Sequence, residues 1–209
     1  MIFPGTDNYL HPEETYYNCI HVHKVDATNA RDLSRAAREH RKIIWTNMEM
    51  LRKHVPGCEN ISLITTAAYL GVRETRRIQG DYQLQLGDVL DASQFDDQVY
   101  RYACFIDIHK VDPEGAQDEH ADKELKPGES YGVPYRSLLP VGVENLLVAG
   151  RCFSTTHEAL ASVRMMPSCM AMGQAAGTAA AQAIREAVTP RQVNVKRLRK
   201  QLAADGVIL

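Results

Sequence analysis

Residues 144–187 read ENLLVAGR (144–151), CFSTTHEALASVRMMPS (152–168) and CMAMGQAAGTAAAQAIREA (169–187). The first block is a short apolar run that predicts a buried strand. The last predicts a long helix of small and sulfur-containing residues, and the loop between them carries His157, Glu158 and Arg164. Gly173 and Gly177 stand one above the other on that helix. Ala176, Ala180 and Ala183 extend the small face, which lets a helix approach a sheet or another backbone closely. An apolar strand delivering a loop to a helix start is a common way to hold a cofactor against backbone N–H groups.

The start of the long helix is the chemically informative end. Pro167 suits a first helical turn because it has no N–H to leave unpaired there. The residues around it, 165–170, present free N–H groups that favour negative charge by about 0.3–1 kcal/mol at an exposed site. A phosphate suits such an end, and so does the N1–C2=O edge of a flavin, which becomes anionic on two-electron reduction. The apolar side chains there, with no phosphate-loop glycine pattern, tilt the reading toward a ring.

Working outward, residues 28–55 predict an amphipathic helix with Leu33, Ala36, Ala37, His40, Ile44, Met48, Leu51 and Val55 on one side. Thr28 or Asn29 caps it and Pro56-Gly57 stops it. Strands are predicted over 18–25, 61–70, 72–78, 82–86 and 104–109, with short helix and loop over 87–103 and a polar surface loop over 111–133. Two apolar runs, 135–139 and 145–149, meet at a tight corner. A last helix runs over 195–204 with Asn194 as cap, and the apolar tail 207–209 docks on the body. In RETRR (73–77) alternation sets Arg73 and Arg77 on one face and Glu74 and Arg76 on the other. Two readings stand: a solvated edge strand with Glu74 pairing an arginine, or a clamp for an anion or carboxylate.

A length of 209 residues with a formal net charge of −2 gives no bulk electrostatic reason for a nucleic-acid or membrane partner. Five scattered cysteines show no C-x-x-C pair, so no zinc or redox motif is predicted, and a reducing compartment is. His21 and His23 could pair on a metal, but no third ligand is apparent and a strand's polar face is favoured. No metal site is therefore expected. The opening MIFPGTDNYLH lacks a signal-peptide pattern, and no stretch suits a membrane span, so a cytoplasmic location is expected. That opening also reads as the interior of a larger protein.

Several blocks in order, GVRETRRIQGDYQL (71–84), FIDIH (105–109), YGVPYRSLLP (131–140) and the segment 144–181, resemble FAD-dependent oxidoreductases. These are related in fold to the succinate dehydrogenase and fumarate reductase flavoproteins. The resemblance spans residues 25–209. It implies an α/β fold, the C-terminal portion of a Rossmann-like FAD-binding domain plus an α+β substrate-side domain. It implies a substrate-side region over 1–134, returning strands and helix of the FAD-binding domain over 135–187, and a C-terminal helix and tail over 188–209. Ala149, Gly150 and Arg151 would pass under the ribityl chain, although many relatives carry an acidic residue at the place of Arg151. Arg164, Met165, Met166 and Pro167 would meet the pyrimidine edge. Arg73, Arg76 and Arg77 would bind substrate. The N-terminal Gly-rich βαβ unit that grips the adenine half is absent, since no G-x-G-x-x-G occurs in the 209 residues.

The expected activity is hydride transfer between a small organic substrate and FAD. His157 is the acid or base, or else a loop histidine that only hydrogen-bonds backbone, and Arg164 acts with it at the reacting centre. A second chain supplying the Gly-rich half is the expected partner. Cys152 and Cys169 lie near the ring, with small-residue packing favoured over covalent attachment. The alternatives are a non-catalytic truncated paralogue or interaction subunit, and, more weakly, an anion-binding protein.

Overall fold

A computed structural model describes residues 14, 17, 20–108 and 125–209. The chain divides into two compact units, Met1–Val72 and Arg73–Leu209.

The first unit is organised by α1, Ala30–His54, within the expected span 28–55. Asn29 caps it, its Oδ1 accepting from the Arg31 N–H at 2.9 Å and the Asp32 N–H at 3.4 Å. Asp32 sits in the first turn and Arg52, Lys53 and His54 in the last, each complementing the helix dipole. Of the expected apolar face, Ala36, Met48 and Leu51 are buried. Val55 ends the helix in an extended conformation and Gly57 turns the chain at φ +86°. The Arg52 guanidinium then donates to the Ile61 carbonyl at 2.9 and 2.7 Å, tying the following segment back.

The strand expected over 61–70 does not form; Ile64 and Tyr69 are exposed. β-branched composition favours a pleated surface only where a second strand supplies the ladder, and none does here. Residues 20–25 likewise form no strand, and residues 18 and 19 lie outside the described residues. His21 and His23 stack with ring centroids 6.2 Å apart. Among the described residues no group of three or more metal-ligating side chains occurs.

The second unit holds α2 (Leu86–Leu90), β1 (Gln98–Tyr102), β2 (Tyr131–Pro134), α3 (His157–Val163), α4 (Met166–Glu186) and α5 (Val195–Ala204). β1 and β2 pair antiparallel in a two-stranded sheet, with Tyr102 opposite Tyr131 and a register shift between Gln98 and Tyr100. That shift explains why β1 lay hidden in a region read as helix and loop. It turns Gln98, Val99 and Tyr100 inward in succession, so the alternation that marks a strand is lost.

α4 and α5 pack on β1. Met172, Ala175, Ala179 and Ala183 face the core at three- and four-residue steps, with Leu198 and Leu202 beside them. Pro167 occupies the first turn of α4, as its missing N–H predicts. Asn194 caps α5 by accepting from the Arg197 N–H at 3.1 Å. The tail docks: Ile208 accepts from the Arg101 N–H at 2.9 Å, and Val207 packs on the core.

Four further expectations are corrected. Residues 144–151 form no strand; Leu146 is exposed, and the Val148 N–H makes a single bond to Leu138 O at 2.9 Å. The loop expected to carry His157 and Glu158 is helix α3, because Thr156 caps it and Ala159, Leu160 and Val163 bury one side. The strands expected over 72–78 and 82–86 do not form: Leu84 makes an isolated bridge to Thr155, Gly80 between the two stretches makes one to Pro140, and Leu86 opens α2. Residues 103–108 form no strand either. His109, and residues 111–124 of the expected polar loop, lie outside the described residues.

Candidate functional site

Three segments distant in sequence meet along α3. Residues 78–84 run beside 152–156, with the Ile78 N–H bonded to Cys152 O at 2.9 Å, Leu84 N–H to Ser154 O at 3.1 Å, and Thr156 N–H to Leu84 O at 2.8 Å. This brings RETRR to the first turn of α3. The stretch after β1 lies along the same helix: Asp107 N–H donates to Ala161 O at 3.4 Å and Ser162 Oγ to Cys104 O at 2.7 Å. Small side chains at Ala161 and Ser162 permit that approach.

The polar side chains of these segments form a network of two bonded groups whose charges act on one another at Arg164. Asp107 holds two arginines. Arg73 donates to its Oδ2 at 2.8 Å, and Arg164 donates to its carbonyl at 2.7 Å and its Oδ2 at 3.4 Å. Glu74 holds Arg77 with Oε1 and the His157 ring with Oε2, the latter 2.5 Å from Nδ1. Arg164 is the deepest member, its side chain 9 % exposed, whereas that of His157 is 57 % exposed. Burial pushes the Arg164 guanidinium below its ordinary pKa, the charge of Arg73 pushes it further, and Asp107 opposes both.

Of the expected site residues the fold thus brings together Arg73, Arg77, His157 and Arg164. Arg76 is exposed and makes none of the contacts of this network. The alternating-face assignment of RETRR fails because the segment is not a strand, and Glu74 and Arg77 pair three residues apart. The edge-strand reading of these residues had Glu74 pairing an arginine, and it does.

The second group of expected residues lies at a turn and at the start of α4. Gly150 adopts φ +83° with open space where a Cβ would stand, and its carbonyl accepts from the Phe153 N–H at 3.1 Å. Ala149 and Met165 are half-buried, and Arg151 and Pro167 are exposed. Met165 is the N-cap of α4 and supplies no side-chain bond to the helix start, while Met166 and Met170 are exposed. Burial pushes the Cys169 thiol up, and the charge of Arg151 opposes this. A raised thiol pKa disfavours a thiolate at Cys169.

The turn has a glycine at positive φ with space beside it, and the start of α4 has no side-chain cap and carries exposed methionines, so its free N–H groups favour negative charge. These residues include no glycine-rich turn for a pyrophosphate.

Asp107 escaped assignment in the sequence. Its signal was a lone carboxylate in the apolar run CFIDI, where an unpaired charge is costly. Its partners at residues 73 and 164 were not legible from spacing.

No helix among the described residues is long and apolar enough to cross a membrane. No curated protein and no solved structure matches the chain significantly. A sequence model of the family described as FAD dependent oxidoreductase matches residues 2–202. That match covers nearly the whole chain, and with it comes a general flavin-linked oxidoreductase function: the chain belongs to the FAD-dependent oxidoreductase family.

Proposed function

We propose that this chain forms the flavin-ring and substrate side of an oxidoreductase acting on a small organic substrate that carries a carboxylate or similar anionic group. FAD, when bound, supplies a two-electron acceptor for hydride from a substrate C–H. The carrying observation is the gathering of charged side chains along α3: Glu74 and Arg77 with His157 at its start, and Asp107 and Arg73 with Arg164 at its end. Guanidinium groups gathered in this way can hold a carboxylate or similar anion in a planar fork.

Arg73 and Arg77 orient the substrate. Arg164, desolvated and braced by Asp107, offers a fixed positive charge that costs little to reorganise. His157, exposed beside them, takes or returns the proton that accompanies hydride departure. Ala149, Gly150 and Arg151 would hold the ribityl side of the flavin, and Met165, Met166 and Pro167 its pyrimidine side, where the free N–H groups of α4 would favour developing negative charge. The fold reading is that of a Rossmann-like FAD-binding domain joined to a substrate-side region. The adenine half is gripped by a Gly-rich unit outside these 209 residues, on a second chain or on the same polypeptide. A cytoplasmic location suits the scattered cysteines, of which Cys58, Cys104, Cys152 and Cys169 carry free thiols.

Titration of the purified chain with FAD and with FMN, followed by flavin fluorescence, tests this reading. Weak quenching of similar strength with both is expected, because only the shared ring and ribityl half meets the chain. Absence of quenching with either overturns the flavin-ring assignment and favours a non-catalytic relative. Stoichiometric tight binding of FAD, but not FMN, overturns the external Gly-rich unit.

A further inference from the structure

We infer that Glu74 is the positioning residue of His157, selecting the tautomer that leaves Nε2 as the proton-accepting atom; this rests on the proposed acid–base role of His157. An ionised carboxylate accepts hydrogen bonds and donates none, so at 2.5 Å from Glu74 Oε2 the Nδ1 atom carries the hydrogen. In the neutral ring the lone pair then resides on Nε2, the nitrogen that Glu74 does not occupy.

Both partners are themselves fixed. The other oxygen of Glu74 is held by Arg77, and the Glu74 side chain is 21 % exposed against 57 % for His157. His157 is the first residue of α3, whose start is pinned by the Thr156 hydroxyl accepting from the Ala159 N–H at 3.3 Å. A sheltered, doubly engaged carboxylate therefore orients an exposed ring. The ion pair of Glu74 with Arg77 also separates Glu74 from the substrate-binding task, because its two oxygens are committed to two protein partners.

The arrangement divides the charged groups by role. Arg77 fixes Glu74, Glu74 fixes His157, and Asp107 independently fixes Arg164 and Arg73. Arg164 and Glu74 are close enough for the carboxylate to favour the charged guanidinium, so the two halves of the network share one field. Loss of Glu74 is thus read first at the imidazole and not at the Asp107 pair.

Nitrogen NMR of the full chain labelled with 15N-histidine tests this, read at a pH where the 15N shifts themselves show a neutral ring, with the His157 signals assigned from a His157→Gln variant. Wild-type His157 is expected almost wholly as the Nδ1–H tautomer. Glu74→Gln presents an amide that can donate to Nδ1, and the population moves to Nε2–H. Arg77→Met loosens Glu74 and gives a mixture, so the result does not depend on one variant folding. A wild-type ring protonated on Nε2, or an unchanged Nδ1–H population in Glu74→Gln, overturns the inference. Because no flavin is present, the result is independent of the flavin titration. Nδ1–H without flavin binding removes the redox reading alone, and Nε2–H with flavin binding removes this inference alone. In an assembled active enzyme, Glu74→Gln lowers kcat by roughly 10²–10⁴-fold with KM little changed, the share that acid–base work ordinarily supplies.

Discussion

Replacing Asp107 with Asn removes one negative charge from between two arginines while keeping size and shape. The bond from Arg164 to the residue-107 carbonyl, at 2.7 Å, survives the change. What is lost is the charge-assisted bond from Arg73 at 2.8 Å and the weaker contact from Arg164 at 3.4 Å. A hydrogen bond to a charged group contributes about 1.5–3 kcal/mol. Arg73 is about one-third exposed, so solvent screening brings its share to roughly 1 kcal/mol. Arg164 is nearly buried and then faces Arg73 without the intervening carboxylate; its surviving bond to the residue-107 carbonyl keeps this cost near the low end for a buried group short of a partner, about 1 kcal/mol.

Asp107→Asn is therefore expected to destabilise the second unit by about 2 kcal/mol, below the 3–5 kcal/mol of a fully buried pair that loses one member. Equilibrium urea unfolding followed by far-UV circular dichroism measures it. In an Arg164→Met background no buried guanidinium remains to be stranded, so the same substitution should cost about 1 kcal/mol less. Arg76→Met, outside the network, should stay within about 0.5 kcal/mol of wild type. An Asp107→Asn variant as stable as wild type, or an equal cost in the Arg164→Met background, refutes the pairing.

Two other outcomes follow from packing and burial. At Gly80 an added Cβ would lie 2.7 Å from Ser154 Cβ and 3.1 and 3.2 Å from the carbonyls of Ser137 and Leu139, so Gly80→Ala should cost about 1–3 kcal/mol. Gly173→Ala meets nothing within 4 Å inside a helix and should be neutral or stabilising by up to about 1 kcal/mol; equal thermal shifts for the two would contradict this packing. Burial pushes Tyr82 and Tyr102 up to about 12 and raises Tyr100, Tyr131 and Tyr135 as well. A folded pKa above the unfolded value of about 10 gives stability that is complete below that value and lost as pH rises through the folded ones. Melting temperature should thus fall steeply between pH about 10 and about 12 as phenolate absorbance rises; full phenolate formation near pH 10 with the fold intact would contradict it.

Local signals were read where they are physically local. A cap, a periodic apolar face and a stop sit within a few residues of each other, so α1, α5 and the first turn of α4 are legible in the chain itself. Strands are not of that kind. A β-branched run such as 61–70 or an apolar run such as 145–149 becomes a strand only if another segment supplies its ladder, and here none among the described residues does. β1 shows the converse, since the register shift that packs Val99 and Tyr100 inward erases the alternation that would announce it.

The site divides along the same line. The residue types were visible: arginines in RETRR, a histidine and an arginine flanking ALASV, a glycine before the turn at 150, and a family pattern that matches residues 2–202. Their pairing was not. That Glu74 meets His157 and Asp107 meets Arg164 across 83 and 57 residues depends on which backbones lie side by side. That in turn depends on the bonds joining residues 78–84 to 152–156 and residue 107 to α3. Hydrogen-bond geometry between distant segments has no period and no local composition. The sequence alone therefore determined the chemical groups and the helices that carry them, while the tertiary structure decided which charge neutralises which.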